Sequence, residues 1–365
     1  MILWFRRSSN HPKLAEIEAK RICLIKPSAL GDVVQTLPVL TALRSRFPNA
    51  HIAWVVNRAY ADILAGHPHL NETIVFDRGR GKPWSRSARA AFFSLLRMLQ
   101  ERQFDLACDL QGLLRSSIMA RATRAARRIG LGDAREGARL FYTDVVPVPR
   151  CGMSAVDRYW LLAGSLGVGP ATKQFVIPVS PSERLWAGRQ WDGAGGLCVA
   201  IHPGARWMTK RWPTGHYAEI ARRLEREATA RIVLVGGTEE TDAARQIESA
   251  VRGRCVNLTG QTSLKQLAAV LCRVDLLLTN DSGPMHLAAA LGTPVAGIFT
   301  CTSPDRARPY GSGHLIIGTS VWCAASYLKK CSRMECMSEL TPDRVWPLLR
   351  DHLAALRVPA VASAS

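Results

Sequence analysis

The residues Thr279-Asn280-Asp281-Ser282-Gly283-Pro284-Met285-His286 place a carboxylate, a hydroxyl and an imidazole around a flexible turn. They follow the apolar run Val274-Asp275-Leu276-Leu277-Leu278 and precede Leu287-Ala288-Ala289-Ala290-Leu291, which Gly292 closes. The pattern predicts a buried parallel strand, a turn and a helix. The free amides and positive dipole end of that helix suit an anion. Asp281 or Ser282 can cap the helix, and Gly283 lets a ligand approach the backbone. The same residues also describe a capped helix with no ligand.

Other loops repeat this arrangement. Lys26-Pro27-Ser28-Ala29-Leu30-Gly31-Asp32 follows an apolar strand. Asp32 is either an N-cap or a carboxylate at a cleft mouth, able to act as a general base. Asp109 and Gln111 share one side of an extended segment and suit either sugar hydroxyls or bracing of the Gly31 turn. His202-Pro203-Gly204-Ala205-Arg206 and Thr209-Lys210-Arg211-Trp212-Pro213 offer a glycine turn, a hydroxyl and cations. That set suits a diphosphate, or else forms a solvated basic loop. Gly236-Gly237-Thr238-Glu239-Glu240 offers backbone approach and an acid for a ribose, or a turn whose acids complement a helix dipole. Arg78, Arg80, Lys82, Arg86 and Arg89 surround Trp84, and Arg115, Arg121, Arg124, Arg127 and Arg128 form a second basic segment. Both point the first half toward an anionic partner, or form a solvated face.

The elements that position these loops alternate. Strands are expected at Arg21 to Lys26, His51 to Val56, Ile74 to Phe76, Asp105 to Asp109 and Arg128 to Leu131. Helices are expected at Asp32 to Arg46, where Pro38 must kink the helix or mark its start, at Ala88 to Glu101, and through Met119. Gly167-Val168-Gly169-Pro170 and Pro178 to Pro181 read as a linker. The rhythm then resumes. Strands are expected at Leu197 to His202, Ile232 to Val235, Leu276 to Leu278 and Val295 to Phe299. Helices are expected at Tyr217 to Glu227, Glu239 to Val251 and Leu264 to Cys272. This is an α/β chain of two doubly wound parallel-sheet domains facing a cleft, with ligands outside the strands' carboxyl ends.

Composition narrows the partners. With 365 residues, 47% hydrophobic and 21% charged, the chain is an ordinary globular protein with room for two cores. Its net charge of +19 calls for an anionic partner: nucleic acid, a phosphorylated lipid surface or a phosphorylated substrate. No nucleic-acid motif accompanies the charge, so no nucleic-acid partner is expected. No run is apolar enough to span a bilayer. Met1 to Arg7 lacks the apolar core of an export signal and is expected to be a disordered tail, which makes reduced cytosolic cysteines the expectation. Cys323, Cys331 and Cys336 lack the paired spacing of a zinc module, so no metal site is expected.

Taken together, the loops resemble the ADP-heptose:lipopolysaccharide heptosyltransferases, glycosyltransferase family 9. The resemblance covers about Arg21 to Leu349. It rests on Ser28 to Asp32, Asp109 to Leu113, Leu258-Thr259-Gly260, Leu264 to Leu271, Asn280 to His286, Gly292-Thr293-Pro294 and Phe299 to Gly311. Asp133-Ala134-Arg135-Glu136, Leu140-Phe141-Tyr142 and Ala155-Val156-Asp157-Arg158-Tyr159 look closest to heptosyltransferase I. His202 to Ala205, Lys210 to Pro213 and the Cys331 to Pro342 tail look more like the wider family, including heptosyltransferase II. The resemblance implies a GT-B fold: a tail over 1–20, an acceptor domain over 21–175, a donor domain over 176–345, and a C-terminal helix and tail over 346–365 that returns toward the first domain. It implies an inverting enzyme that needs no metal or cofactor, takes ADP-heptose as donor and Kdo-lipid A as acceptor, and works peripherally at the cytoplasmic face of the inner membrane. Carried over by position, Asp32 is the catalytic base. Thr209, Lys210, Glu239, Glu240, Asp281, Ser282, Gly283 and His286 hold the donor. Ser28, Gly31, Arg80, Lys82, Arg86, Asp109, Gln111 and Arg128 face the acceptor. The alternatives are a relative acting on another core acceptor or using another nucleotide sugar, and a non-catalytic binder of anionic ligands.

Overall fold

The computed structural model describes residues 13–77, 85–150, 152–169, 173–191, 196–253 and 255–357. The first half contains β1 (Arg21–Ile25), α1 (Leu30–Arg46), β2 (His51–Asn57), α2 (Arg58–Ala61), β3 (Glu72–Phe76) and α3 (Arg86–Glu101). It continues with β4 (Leu106–Asp109), α4 (Leu114–Ala122), β5 (Arg127–Leu131), β6 (Asp144–Val146) and α5 (Ala155–Ser165). The second half contains α6 (Pro181–Gly188), β7 (Cys198–His202), α7 (Thr214–Ala228), β8 (Arg231–Leu234), α8 (Thr241–Glu248), β9 (Cys255–Asn257) and α9 (Leu264–Leu271). Then come β10 (Leu276–Asn280), α10 (Gly283–Ala290), β11 (Val295–Phe299), α11 (Pro304–Ala307), β12 (Leu315–Gly318), α12 (Glu335–Glu339) and α13 (Pro342–Arg357).

The strands form two six-stranded sheets, ordered β3-β2-β1-β4-β5-β6 and β12-β11-β10-β7-β8-β9. All pairings between neighbours are parallel. Counted along its own half, each sheet has the same doubly wound order. The winding reverses between β1 and β4 in one sheet and between β7 and β10 in the other, and such points are where open α/β sheets leave a crevice for ligands. The central strands are apolar throughout because helices cover both faces: Ile22 to Ile25 and Leu276 to Leu278 are fully buried.

Helix α1 starts at Leu30 and runs through Pro38, so the proline does not mark its start. Pro181 opens α6, with Ser180 as cap and Glu183 completing a capping box, so the expected linker ends in a helix. The helix expected over Glu239 to Val251 is shorter: a 3-10 turn occupies Thr238–Glu240, and α8 spans Thr241–Glu248. Helix α13 begins four residues earlier than expected and packs on the second half. Its buried side chains Val345, Trp346, Leu349 and Leu353 join the second half's core with Tyr217 and Leu224 of α7. Trp346 Nε1 donates to Glu227, and Arg223 pairs with Asp343.

Candidate active site at the meeting of two helix starts

The first mouth lies where β1 and β4 diverge. Lys26 follows β1, and its side chain is only 3% exposed. Its ammonium donates to the Leu110 carbonyl at 3.1 Å and to Tyr159 Oη at 2.7 Å, and lies 3.3 Å from Asp32. Tyr159 Oη in turn donates to Asp32 Oδ1 at 2.5 Å, and the Ala29 amide donates to Oδ2 at 3.1 Å. Ala29 is therefore the N-cap of α1, and Asp32 sits three residues into the helix rather than capping it with its own backbone. Burial would raise the Asp32 pKa, but Lys26, Tyr159 and the Ala29 amide outweigh it and hold the carboxyl below its ordinary value. Burial depresses the Lys26 ammonium, which Asp32 partly restores. With 41% of its side chain exposed, Asp32 presents an ionised carboxylate to the cleft.

The second mouth lies where β7 and β10 diverge. Here the acid is the deeper partner: the Asp281 side chain is 7% exposed and that of Lys210 16%. Asp281 Oδ2 accepts from Lys210 at 2.6 Å and from Thr302 Oγ1 at 2.7 Å. The Lys210 ammonium also lies 4.7 Å from the Trp207 ring centre. Helix α10 has Ser282 at its N-cap, but no side chain caps it. The Ser282 hydroxyl instead meets Thr279 Oγ1 and His202 Nδ1, and Asp281 is committed to Lys210 and Thr302. Neither residue thus fills the expected capping role, and the dipole end of α10 stays open beside the Lys210 cation. Burial lowers the pKa of His202 to about 4, so it is neutral at physiological pH. Asn280 ties the loop together, accepting from the Trp212 amide and donating to the Pro203 carbonyl.

The two mouths meet. Helix α1 packs against α10, and both contacts depend on missing side chains. A Cβ on Gly31 would lie 2.5 Å from His286 Cδ2, and one on Gly283 would lie 3.0 Å from Leu30 Cβ. His286 Nε2 is 4.0 Å from Asp281 Oδ1, its pKa is lowered first by burial, and it feels the charges of both Asp281 and Asp32. Its Nδ1 has no hydrogen-bond partner among the described residues. Leu30, Val33 and Val34 share one apolar cluster with Leu267, Met285 and Leu287. Lys265 of α9 fastens the halves elsewhere, donating to the carbonyls of Ala65 and Pro178.

Several expected contacts are corrected. Asp109 does not face an acceptor. It is fully buried, with Oδ2 accepting from Tyr142 and Ser116 and Oδ1 from the amides of Gln111 and Gly112. Gln111 Oε1 accepts from the Ser28 amide, so this strand end braces the first mouth. Arg128 donates to the carbonyls of Phe141 and Ala125, which ties its guanidinium to the fold. Thr209 is 2% exposed and donates to the Leu328 carbonyl at 2.6 Å; it positions Lys210 rather than facing the donor. Glu240 accepts from the Gly237 amide and packs on Gly204, while Glu239 stands exposed at the same rim. Arg86 is exposed at the start of α3. Arg80 and Lys82 lie outside the described residues. Among the described residues, no group of three or more His, Cys, Asp and Glu side chains is placed to hold a metal ion.

The sequence reading missed Lys26, Tyr159 and Thr302. Lys26 did carry a signal, since a lysine ending a fully apolar strand needs a buried partner. Tyr159 and Thr302 lie in segments that carry the resemblance, but nothing marked their contacts, because their partners lie 127 and 21 positions away.

Two doubly wound domains that face each other across a cleft, with an ionised carboxylate opposite a cation and an open helix start, have the GT-B fold. The chain belongs to glycosyltransferase family 9 (heptosyltransferase), whose model matches residues 92–337. It is 30% identical to lipopolysaccharide heptosyltransferase 1 of Pseudomonas aeruginosa, covering 92% of this chain and 98% of that protein. It is also 30% identical to lipopolysaccharide heptosyltransferase 2 of Salmonella typhimurium, over 79% and 85% of the two chains. The Escherichia coli heptosyltransferase WaaC solved with ADP superposes with a TM-score of 0.74 at 25% identity, covering 91% of this chain and 99% of that one.

Proposed function

We propose that this heptosyltransferase moves heptose from ADP-heptose to the Kdo-lipid A inner core at the cytoplasmic face of the inner membrane. The observation that carries the reading is the apposition of Asp32 and the Lys210–Asp281 pair across the Gly31–His286 contact. In this reading the acceptor hydroxyl lies against Asp32 and the donor diphosphate against Lys210 and the start of α10. The acceptor oxygen attacks the anomeric carbon from the face opposite the diphosphate, and the bond to ADP breaks. The hydroxyl proton passes to Asp32, so the product sugar is inverted and ADP leaves with the bonding electrons. A low-pKa carboxylate suits this role if proton transfer comes late, when the new bond has made the attacking oxygen acidic. Lys210 and the α10 amides receive the negative charge that grows on the leaving diphosphate, so the reading assigns that task to no metal ion.

Support comes from the ADP bound in the WaaC structure and from the heptosyltransferase 1 relative that spans nearly the whole chain. A second reading is favoured by the equal identity to heptosyltransferase 2, namely a later core acceptor with the same donor and chemistry. The test is ADP release from ADP-heptose with chelator present, with and without Kdo-lipid A, read together with product mass. Acceptor-dependent release and a product one heptose heavier support the first reading. Release only with a heptosylated core supports the second. Neither release nor ADP-heptose binding removes both.

A further inference from the structure

A basic edge with unpartnered leucines borders the first mouth. Leu140 is 88% exposed and Leu114 40% exposed. Leu140 lies in the 3-10 turn Ala138–Phe141 that follows β5, and Leu114 is the first residue of α4, which follows β4. Leu114 therefore sits at the carboxyl edge of the first sheet, the edge that also holds Asp32, and Leu140 lies on the segment that runs from this edge toward the start of β5, where the Phe141 carbonyl accepts from Arg128. Hydrogen bonds stitch the two segments together: the Leu114 amide donates to Glu136 at 3.2 Å, and the Arg135 amide donates to the Gly112 carbonyl at 2.9 Å. The neighbouring Gln111 holds the Ser28 turn, so this edge is continuous with the mouth.

The charges around the leucines point to one occupant. Arg115, Arg135 and Arg139 are all exposed. Among the described residues, the side chains of Arg115 and Arg139 hold no hydrogen bond or ion pair. Of the nearby acids, Asp133 is paired with Arg158, and Glu136 accepts from the Leu114 amide but keeps its charge, so three arginines stand against one free carboxylate. An exposed leucine costs solubility, and three arginines beside it repel a second copy of the same edge. An anionic bilayer accepts both features, taking the leucines below the headgroups and the guanidiniums at their phosphates.

We propose that Leu114 and Leu140, flanked by Arg115, Arg135 and Arg139, form a docking edge that seats the first mouth on an anionic lipid bilayer. The inference deepens the proposed function, because an acceptor anchored in a membrane must be reached from the bilayer surface. Its test does not require catalysis. The full-length protein is sedimented with phosphatidylcholine vesicles, with and without phosphatidylglycerol. Wild type should bind the anionic vesicles and release them as salt rises. Leu140→Asp and Leu114→Asp should each weaken binding roughly tenfold, the scale of withdrawing one buried leucine. Arg115→Gln and Arg139→Gln should each weaken it roughly fivefold.

Heptose transfer provides a second reading. Each leucine variant should lose activity on acceptor in vesicles and keep it on a de-acylated, water-soluble acceptor. Unchanged vesicle binding by both leucine variants would overturn the proposal and leave the edge a general polyanion surface. Equal loss on soluble and membrane-held acceptor would also overturn it, placing the leucines in the acceptor site itself. If wild type binds vesicles through these leucines yet transfers heptose to no acceptor, the docking edge stands and the proposed function fails.

Discussion

The two mouths of the cleft are built alike and offer opposite charges. Each lies at the switch point of a sheet, each holds one lysine and one aspartate in contact, and each adjoins the start of a helix. At the first mouth the lysine is the hidden partner, 3% exposed, and the aspartate reaches the cleft at 41%. At the second the aspartate is hidden at 7%, and the lysine is the more exposed at 16%. The inversion decides what each mouth can bind. In the proposed function, the buried cation that fixes an exposed carboxylate suits a base, and the buried carboxylate that fixes a cation suits a phosphate site. On that reading the same pair of residue types would serve two chemistries, separated by which member is buried.

The sharpest way to break this comparison is to remove the exposed member at the first mouth. Asp32→Asn should lower transfer roughly a hundredfold to ten-thousandfold, the usual contribution of a general base. ADP binding, measured by calorimetry, should be unchanged, because the second mouth is untouched. Full activity in the variant would remove Asp32 from the mechanism.

Removing the exposed member at the second mouth should act differently. Lys210→Met deletes the cation and leaves Asp281 buried with the Thr302 hydroxyl and the His286 ring. A loss of about 1.5–3 kcal/mol, roughly ten- to a hundredfold in transfer efficiency, is expected from a charge-assisted contact. ADP affinity should fall with it. Steady-state kinetics that leave the donor KM unchanged would show that the diphosphate lies elsewhere.

The contact between the mouths is probed by Gly31→Ala. The new methyl group would meet the His286 ring, so the helix starts must separate or the ring must turn. Such misplacement should lower turnover roughly tenfold with little effect on ADP affinity. An alanine variant with wild-type turnover would mean that the close approach of α1 and α10 does not matter to the reaction.

The smallest effect concerns the pKa of the base. The Asp32 carboxyl is held below its ordinary value of 3.8, so activity that needs the carboxylate is full at neutral pH and lost only as pH falls below that value. Tyr159→Phe removes one of the donors that hold it there. Turnover at neutral pH should fall only a few-fold, about the worth of one hydrogen bond, while the acid limb moves to higher pH. A limb that does not move would mean that Tyr159 only packs beside Asp32.

Much of the fold was legible, and the omissions share a cause. The central strands announce themselves as continuous apolar runs because helices cover both faces. Three unread strands, β6, β9 and β12, lie at the edges of the two sheets. They are three to four residues long and incompletely buried, so they lack the run that marks a central strand. The site was read in the same uneven way. Asp32, Lys210 and Asp281 stand in recognisable strand-to-helix turns. Asp109 and Thr209 stand in equally suggestive turns but face inward, and the neighbouring sequence did not reveal it.

The sequence by itself determined which loops carry acids, cations and glycines, because strand and helix periodicity is a local property of the chain. It also determined that those loops share one edge, because every parallel strand ends on the same side. Only the tertiary structure decided which member of each ion pair is exposed. Burial depends on partners such as Tyr159 and Thr302, brought in from distant elements. It also decided that Gly31 and Gly283 serve the meeting of α1 and α10. A glycine's value there comes from the residue opposite it, and that residue lies on the other domain.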